Sequence, residues 1–180
     1  MKAKKIVLVA VFAAITAVFS QISIPLPFSP VPFTLSILAV FLCGALLDEK
    51  HAFLGQLVYL CIGAVGIPVF SGFGGGIAKL VGPTGGYLVT YPLMAFLVAF
   101  TLRKTKKKTL LCYLGGMAAA LGICYLIGTL WLSYLTNVTF VQGLAAGVYP
   151  FVFFDCVKIV LASVLSMAVS RSLDKAKVRL

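Results

Sequence analysis

From Ile6 to Leu47 the chain carries no charged residue, and from Thr109 to Phe154 it again carries none. A helix crossing a ~30 Å hydrocarbon core uses about 20 apolar residues, so each run is long enough for two crossings. Composition agrees: 62% of the 180 residues are hydrophobic, 11% are charged, and mean hydropathy is +1.13. A soluble domain carries about 25% charged residues, and one this small could not hide the apolar excess in its interior. The chain is therefore expected to be an integral membrane protein.

Pro25, Pro27, Pro30 and Pro32 divide the first run. Each lacks a backbone donor and restricts its predecessor, so this stretch is not a helix interior. Span 1 is expected over about Lys4–Ser23 and span 2 over about Phe33–Leu47, whose shortness suggests that part of the proline segment dips into the membrane. The polar turn Asp48-Glu49-Lys50-His51 precedes span 3, about Ala52–Gly66. A glycine-rich outer loop follows over 70–86, then span 4, about Gly86–Leu102, with Pro92 as a tolerated kink. Asn137, Thr139 and Gln142 break the second uncharged run into span 5, about Thr109–Leu135, and span 6, about Ala146–Ser170.

Six spans put both termini on one side, which receives thirteen of the fifteen cations: Lys2, Lys4, Lys5, Lys50, the five within 103–108, and Arg171, Lys175, Lys177 and Arg179. The positive-inside rule then makes that side cytoplasmic. The expected fold is a single all-α bundle of six transmembrane helices over residues 1–180, with an irregular outer loop. Span 1 has full transmembrane length and no clear small-x-small site follows it, which argues against a cleaved signal peptide.

This distribution speaks against nucleic acid as a partner, since such proteins gather cations on a solvated face. The lipid bilayer and anionic headgroups account for the basic ends. The five cysteines are scattered through apolar stretches without paired spacing, and no metal site is expected. Catalysis is short of material, with one histidine and four acids, and no membrane-facing nucleophile–base arrangement is evident. No G-x-x-x-x-G-K-[ST] occurs, so ATP does not bind through a P-loop. Uphill transport would draw on an ion gradient or on another protein.

Three features could carry chemistry. Asp155 and Lys158 are the only ionisable pair within a span and share one helix face. Asp155 lies roughly 13 Å from the outer end at 1.5 Å per residue. Charges there face a cavity or each other, so they form either a ligand site or a salt bridge that locks the bundle. The outer loop has glycines for close backbone approach, apolar side chains unlike those of a flexible connector, and Lys79 as a lone outer cation suited to an anionic group. Ala10-x-x-x-Ala14 and Ala13-x-x-x-Ala17 leave a shallow strip on span 1 for close helix approach, internal or external.

In these residues the sequence resembles the BioY family, the biotin-binding S components of energy-coupling-factor (ECF) transporters. The similarity runs through nearly the whole chain: Val31-Pro32-Phe33-Thr34-Leu35, then Leu80-x-Gly82-Pro83-Thr84-Gly85-Gly86-Tyr87-Leu88, then Pro150-Phe151-x-x-x-Asp155-x-x-Lys158. Ser36 departs from the pattern, where Gln is expected. The resemblance implies an outward-facing biotin site using Asp155, Lys158, Lys79, Gly85, Gly86, Tyr87 and Phe73. It also implies docking through Ala10, Ala13, Ala14 and Ala17 on a transmembrane coupling protein that works with two ATPase subunits. No cofactor and no enzymatic activity are implied, and the location is a prokaryotic cell membrane. The competing reading is a self-sufficient secondary carrier for a small organic anion or vitamin. It is weakened by having only Asp155 available for a proton path.

Overall fold

A computed structural model describes residues 2–105 and 109–175. Lys106, Lys107, Lys108, Lys177 and Arg179, counted above among the basic clusters, lie outside the described residues. The helices are α1 (Lys2–Gln21), α2 (Ser36–Leu46), α3 (Glu49–Ala64), α4 (Ile77–Val81), α5 (Gly85–Val89), α6 (Tyr91–Lys104), α7 (Leu110–Thr136), α8 (Phe140–Gly147) and α9 (Tyr149–Lys175). Among the described residues, four stretches are long and apolar enough to cross a membrane: Ala3–Gln21, Gly85–Lys104, Leu110–Thr136 and Tyr149–Leu173. These fall on expected spans 1, 4, 5 and 6. Spans 2 and 3 correspond to the shorter helices α2 and α3, of 11 and 16 residues.

The all-α expectation is corrected at the proline segment, which forms an antiparallel hairpin of β1 (Ser23–Leu26) and β2 (Ser29–Thr34). Ser23 pairs with Thr34 and Ile24 with Phe33, and the register slips between Ile24 and Leu26, at Pro25. Proline fixes φ in the extended range and offers no donor, and a two-stranded ribbon consists only of edge strands that tolerate it. Phe33 and Thr34 therefore belong to a strand, and the second helix starts at Ser36 instead of Phe33.

Helices α2 and α6 form the centre of the bundle. α2 packs against α1, α6 and α9, and α6 against α2, α3 and α7. The α2–α6 crossing is close because Gly44 has no side chain: a Cβ there would lie 2.6 Å from the Ala95 carbonyl oxygen. Around this centre α1, α7 and α9 leave large apolar side chains exposed, among them Val7, Leu111 and Val160. Such faces are stable against lipid and not against water.

Two polar stops work as local chemistry dictates. Asp48 caps α3 by accepting from the His51 backbone N–H at 3.1 Å. Asn137 ends α7 in the left-handed conformation, and a Thr139–Gln142 capping box starts α8. The glycine-rich outer loop is irregular, as expected, but not shapeless, holding a 3₁₀ turn at Ser71–Phe73 and the short helices α4 and α5.

Candidate functional site

The cavity in the bundle is walled by the hairpin (Val31, Pro32, Thr34), α1 (Ser20), α2 (Ser36, Ile37), α3 (Tyr59), the outer loop and α5 (Ser71, Thr84, Tyr87, Leu88), α6 (Tyr91), α7 (Tyr125), α8 (Gly147) and α9 (Phe151, Asp155, Lys158). Its volume is about 60 Å³, several times the roughly 10–15 Å³ that a single water needs. A narrow, mostly apolar cleft with a few convergent polar groups is the usual form of a small-molecule site.

Its charged end is Asp155 and Lys158, which are 1% and 4% exposed. Lys158 Nζ donates to Asp155 Oδ1 at 2.6 Å, and the Tyr125 hydroxyl donates to Oδ2 at 2.6 Å. The Lys158 ammonium also sits 4.1 Å from the centre of the Phe33 ring, which meets Phe154 edge-on. Two charges at this depth need this much pairing, because each is costly to desolvate alone. Capacity nonetheless remains. Each carboxylate oxygen has a further lone pair, and the ammonium has one more N–H, so the pair can accept and donate at adjacent points.

A second polar group consists of hydroxyls. Ser36 shares hydrogen bonds with Tyr91 at 2.7 Å and Thr34 at 2.6 Å. Ser20 and Tyr59 share one at 2.7 Å, and the Tyr59 and Tyr91 rings stack with centroids 6.3 Å apart. Ser36, the departure from the family pattern, therefore sits in the cavity wall and has polar partners of its own.

Glycines on the facing helices explain how Tyr87 of the 80–88 motif is placed. A Cβ on Gly128 would meet the Tyr87 ring at 2.3 Å, and one on Gly147 would meet its hydroxyl at 2.2 Å. The ring is thus held in a slot between α7 and α8. Gly85 lies against the Leu80 carbonyl and Gly86 against Trp131, so both permit close backbone packing, and neither is in the cavity lining.

Of the expected site residues, Asp155, Lys158 and Tyr87 come together. Lys79 is exposed and lines an adjoining groove that shares Pro32 and Ser71 with the cavity. Phe73 is 72% exposed, with its N–H donating to Gln21 Oε1 at 2.9 Å, away from the lining. On α1, Ala10 and Ala14 face outward and Ala17 is half-buried. Ala13, at 3% exposure, faces the bundle interior. Tyr125, Tyr91 and Tyr59 were missed by sequence reasoning. The available signal was a tyrosine deep in an apolar helix, since a buried phenol requires a hydrogen-bond partner.

The sequence profile of the BioY family matches residues 1–175. A probable biotin transporter BioY of Pyrococcus horikoshii is 42% identical over 166 residues, covering 92% of this chain and 96% of its own. The biotin transporter BioY2 of Lactococcus lactis is 39% identical over 173 residues, covering 96% and 93%. Among solved structures, the crystal structure of an S-component for biotin from an ECF-type ABC transporter superposes with a TM-score of 0.86. It is 26% identical and covers 94% of this chain and 92% of that one.

Proposed function

The chain belongs to the BioY family, and from that premise we propose that it captures biotin as the S component of an ECF transporter, in the cavity that ends on Asp155 and Lys158. It is a transporter component and not an enzyme. The observation that supports this reading best is the buried ion pair, held by Tyr125 and Phe33 at the inner end of an aromatic cleft.

The chemistry of biotin suits these groups. Its ureido ring has two N–H donors flanking a carbonyl, and the pair presents acceptors on Asp155 next to a donor on Lys158. The fused apolar rings suit the walls made by Tyr87, Tyr91 and Phe151. The valerate chain then leads outward past Pro32 and Ser71 to the groove under Lys79, whose ammonium suits the carboxylate. In this arrangement Gly85 and Gly86 act by seating Tyr87, and Phe73 acts by tying the outer loop to α1 through Gln21.

The residues form one unit of six membrane crossings in the cell membrane, with α2 and α3 as the short pair and both termini cytoplasmic. Lys5, Asp48, Glu49 and Arg103 gather at the cytoplasmic end. The energy comes from an ECF coupling protein and two ATPase subunits. The docking surface includes Ala10 and Ala14, the outward members of the strip on α1.

The test is binding of labelled biotin to the detergent-purified chain, with thiamine, riboflavin and biotin amide as competitors. Saturable binding displaced by biotin alone, and more weakly by the amide, is expected. Equal displacement by thiamine or riboflavin refutes the assignment.

A further inference from the structure

Along the outside of the α3–α6 pair, a groove lined by Lys50, Phe53, Leu54, Leu93 and Phe96 runs towards the end of the bundle opposite the hairpin, where Lys50 lies. Apart from Lys50 its walls are wholly apolar, and Phe53, Leu54 and Leu93 are exposed along it. The groove opens without interruption into a basic rim, because Lys50 and Phe96 line both. The rim's cations differ in what they already hold. Lys5 is paired with Asp48 at 2.6 Å and Arg103 with Glu49 at 2.7 Å. Lys50, in the rim, and Lys104, just beyond it on α6, have no ion-pair partner among the described residues, and Lys104 lies 4.3 Å from the centre of the Phe100 ring, which does line the rim. Phe96, Phe100 and Lys104 follow each other at helical spacing on one face of α6, with the two rings stacked 5.9 Å apart. One face therefore runs from an apolar trough to an unneutralised cation.

We propose that this groove is a binding site for one anionic glycerophospholipid, its phosphate between Lys50 and Lys104 and an acyl chain along Phe53, Leu54, Leu93 and Phe96. The occupant is fixed by the combination of chemistries. A free phosphate has no use for the trough, a zwitterionic lipid gains little from two cations, and an amphipathic protein helix would set its backbone against a trough only one side chain deep. Basic pockets between helices at the cytoplasmic surface have the form that holds anionic head groups. The site is separate from the biotin cavity and shares no lining residue with it.

Native mass spectrometry of the full chain, released from micelles holding equal amounts of dioleoyl phosphatidylglycerol and dioleoyl phosphatidylcholine, tests this directly. One retained phosphatidylglycerol is expected. The preference should fall roughly fivefold for each cation removed, and about 25-fold in Lys50→Gln/Lys104→Gln. Arg171→Gln/Lys175→Gln serves as the charge control, since α9 packs mainly on α2, α7 and α8 and its end lies away from the groove. An unchanged preference in this control supports the site. Equal loss in the control, no preference in the wild type, or full preference in the Lys50/Lys104 variant overturns it. Leu54→Trp, which fills the trough and leaves both cations, should displace the lipid. Retention there also overturns the proposal. Biotin binding and melting temperature report folding in every variant, so failure of the lipid site is distinguishable from failure of the biotin assignment.

Discussion

Replacing Asp155 by Asn keeps the side chain's shape and one acceptor oxygen but removes the charge that neutralises Lys158. Two effects follow, and they can be separated. The first is structural. Lys158 is 4% exposed with its ammonium 2.6 Å from the carboxylate, and breaking a buried pair by removing one partner costs about 3–5 kcal/mol. The second is recognition, because ligand N–H groups meet a neutral amide in place of a carboxylate. A hydrogen bond to a charged group contributes about 1.5–3 kcal/mol, so two ureido contacts, partly compensated by the amide, give an expected loss of about 2–4 kcal/mol. That is on the order of 30- to 1,000-fold in Kd. Asp155→Asn alone mixes the two effects. The Asp155→Asn/Lys158→Met double variant leaves no buried charge, so its melting temperature should return close to the wild-type value. Its biotin affinity should stay low, because neither the acceptor nor the donor has been restored. The assay is equilibrium binding of labelled biotin in detergent, read beside a thermal melt of each variant. Wild-type affinity in the double variant would falsify the recognition role and leave the pair as a lock on the bundle.

Gly147→Ala puts a methyl group where the Tyr87 hydroxyl now lies, 2.2 Å from the new Cβ. Displacement of Tyr87 should weaken biotin binding at least tenfold while Gly115→Ala, which meets nothing within 4 Å, leaves binding unchanged. Partial burial raises the Asp48 pKa, but hydrogen bonds from Lys5 and His51 outweigh it and hold the carboxyl at about 2. Because the folded pKa is lowered, Asp48 stabilises the fold above the ordinary carboxylate range and loses that effect as pH falls from about 4 towards 2. The loss is about 1–2 kcal/mol after solvent screening, visible as a falling melting temperature that Asp48→Asn should flatten in that window. Ala14→Trp should leave biotin binding by the isolated chain intact and abolish ATP-dependent uptake with the coupling proteins, whereas Ala13→Trp should lower the melting temperature and biotin binding together. Normal uptake by Ala14→Trp would remove the strip from the docking surface.

The crossings were legible because uncharged length is a one-dimensional property. Charge-free runs mark helices α1 and α7 to within a few residues, and the basic cluster after Leu102 marks the end of α6. The hairpin was not legible. Proline excludes a helix interior, but whether the excluded segment forms a loop or a ribbon depends on what it packs against. Here Ser29 Oγ donates to the Ala146 carbonyl at 2.7 Å, and Phe33 lies under Lys158, 125 residues later in the chain. The ionisable half of the site could be read because buried charge is rare and costly. The hydroxyl half could not, since Ser20, Ser36, Tyr59 and Tyr91 are ordinary residues in apolar helices until four elements bring them together.

The alanine strip shows why register matters to the proposed mechanism. Helical spacing allowed two alternatives, Ala10 with Ala14 or Ala13 with Ala17, and only burial separates them. Phe12, Ala13, Thr16 and Ser20 face inward, with the Thr16 and Ser20 hydroxyls bonded to carbonyls one turn back. Ala10 and Ala14 therefore lie on the other side of the helix whose inner face reaches the cavity at Ser20 and touches Tyr59 there. In the proposed docking, a coupling protein seated on the outer face of α1 would press on the helix that forms one cavity wall. We propose that capture and delivery meet in α1, where the Ser20–Tyr59 contact would hold the wall closed and a shift of α1 under the partner would open it. Ser20→Ala with Tyr59→Phe removes that contact while leaving Asp155 and Lys158 untouched. On this reading the double variant should release biotin faster from the isolated chain, with little change in association. An unchanged dissociation rate would mean that α1 does not gate the cavity.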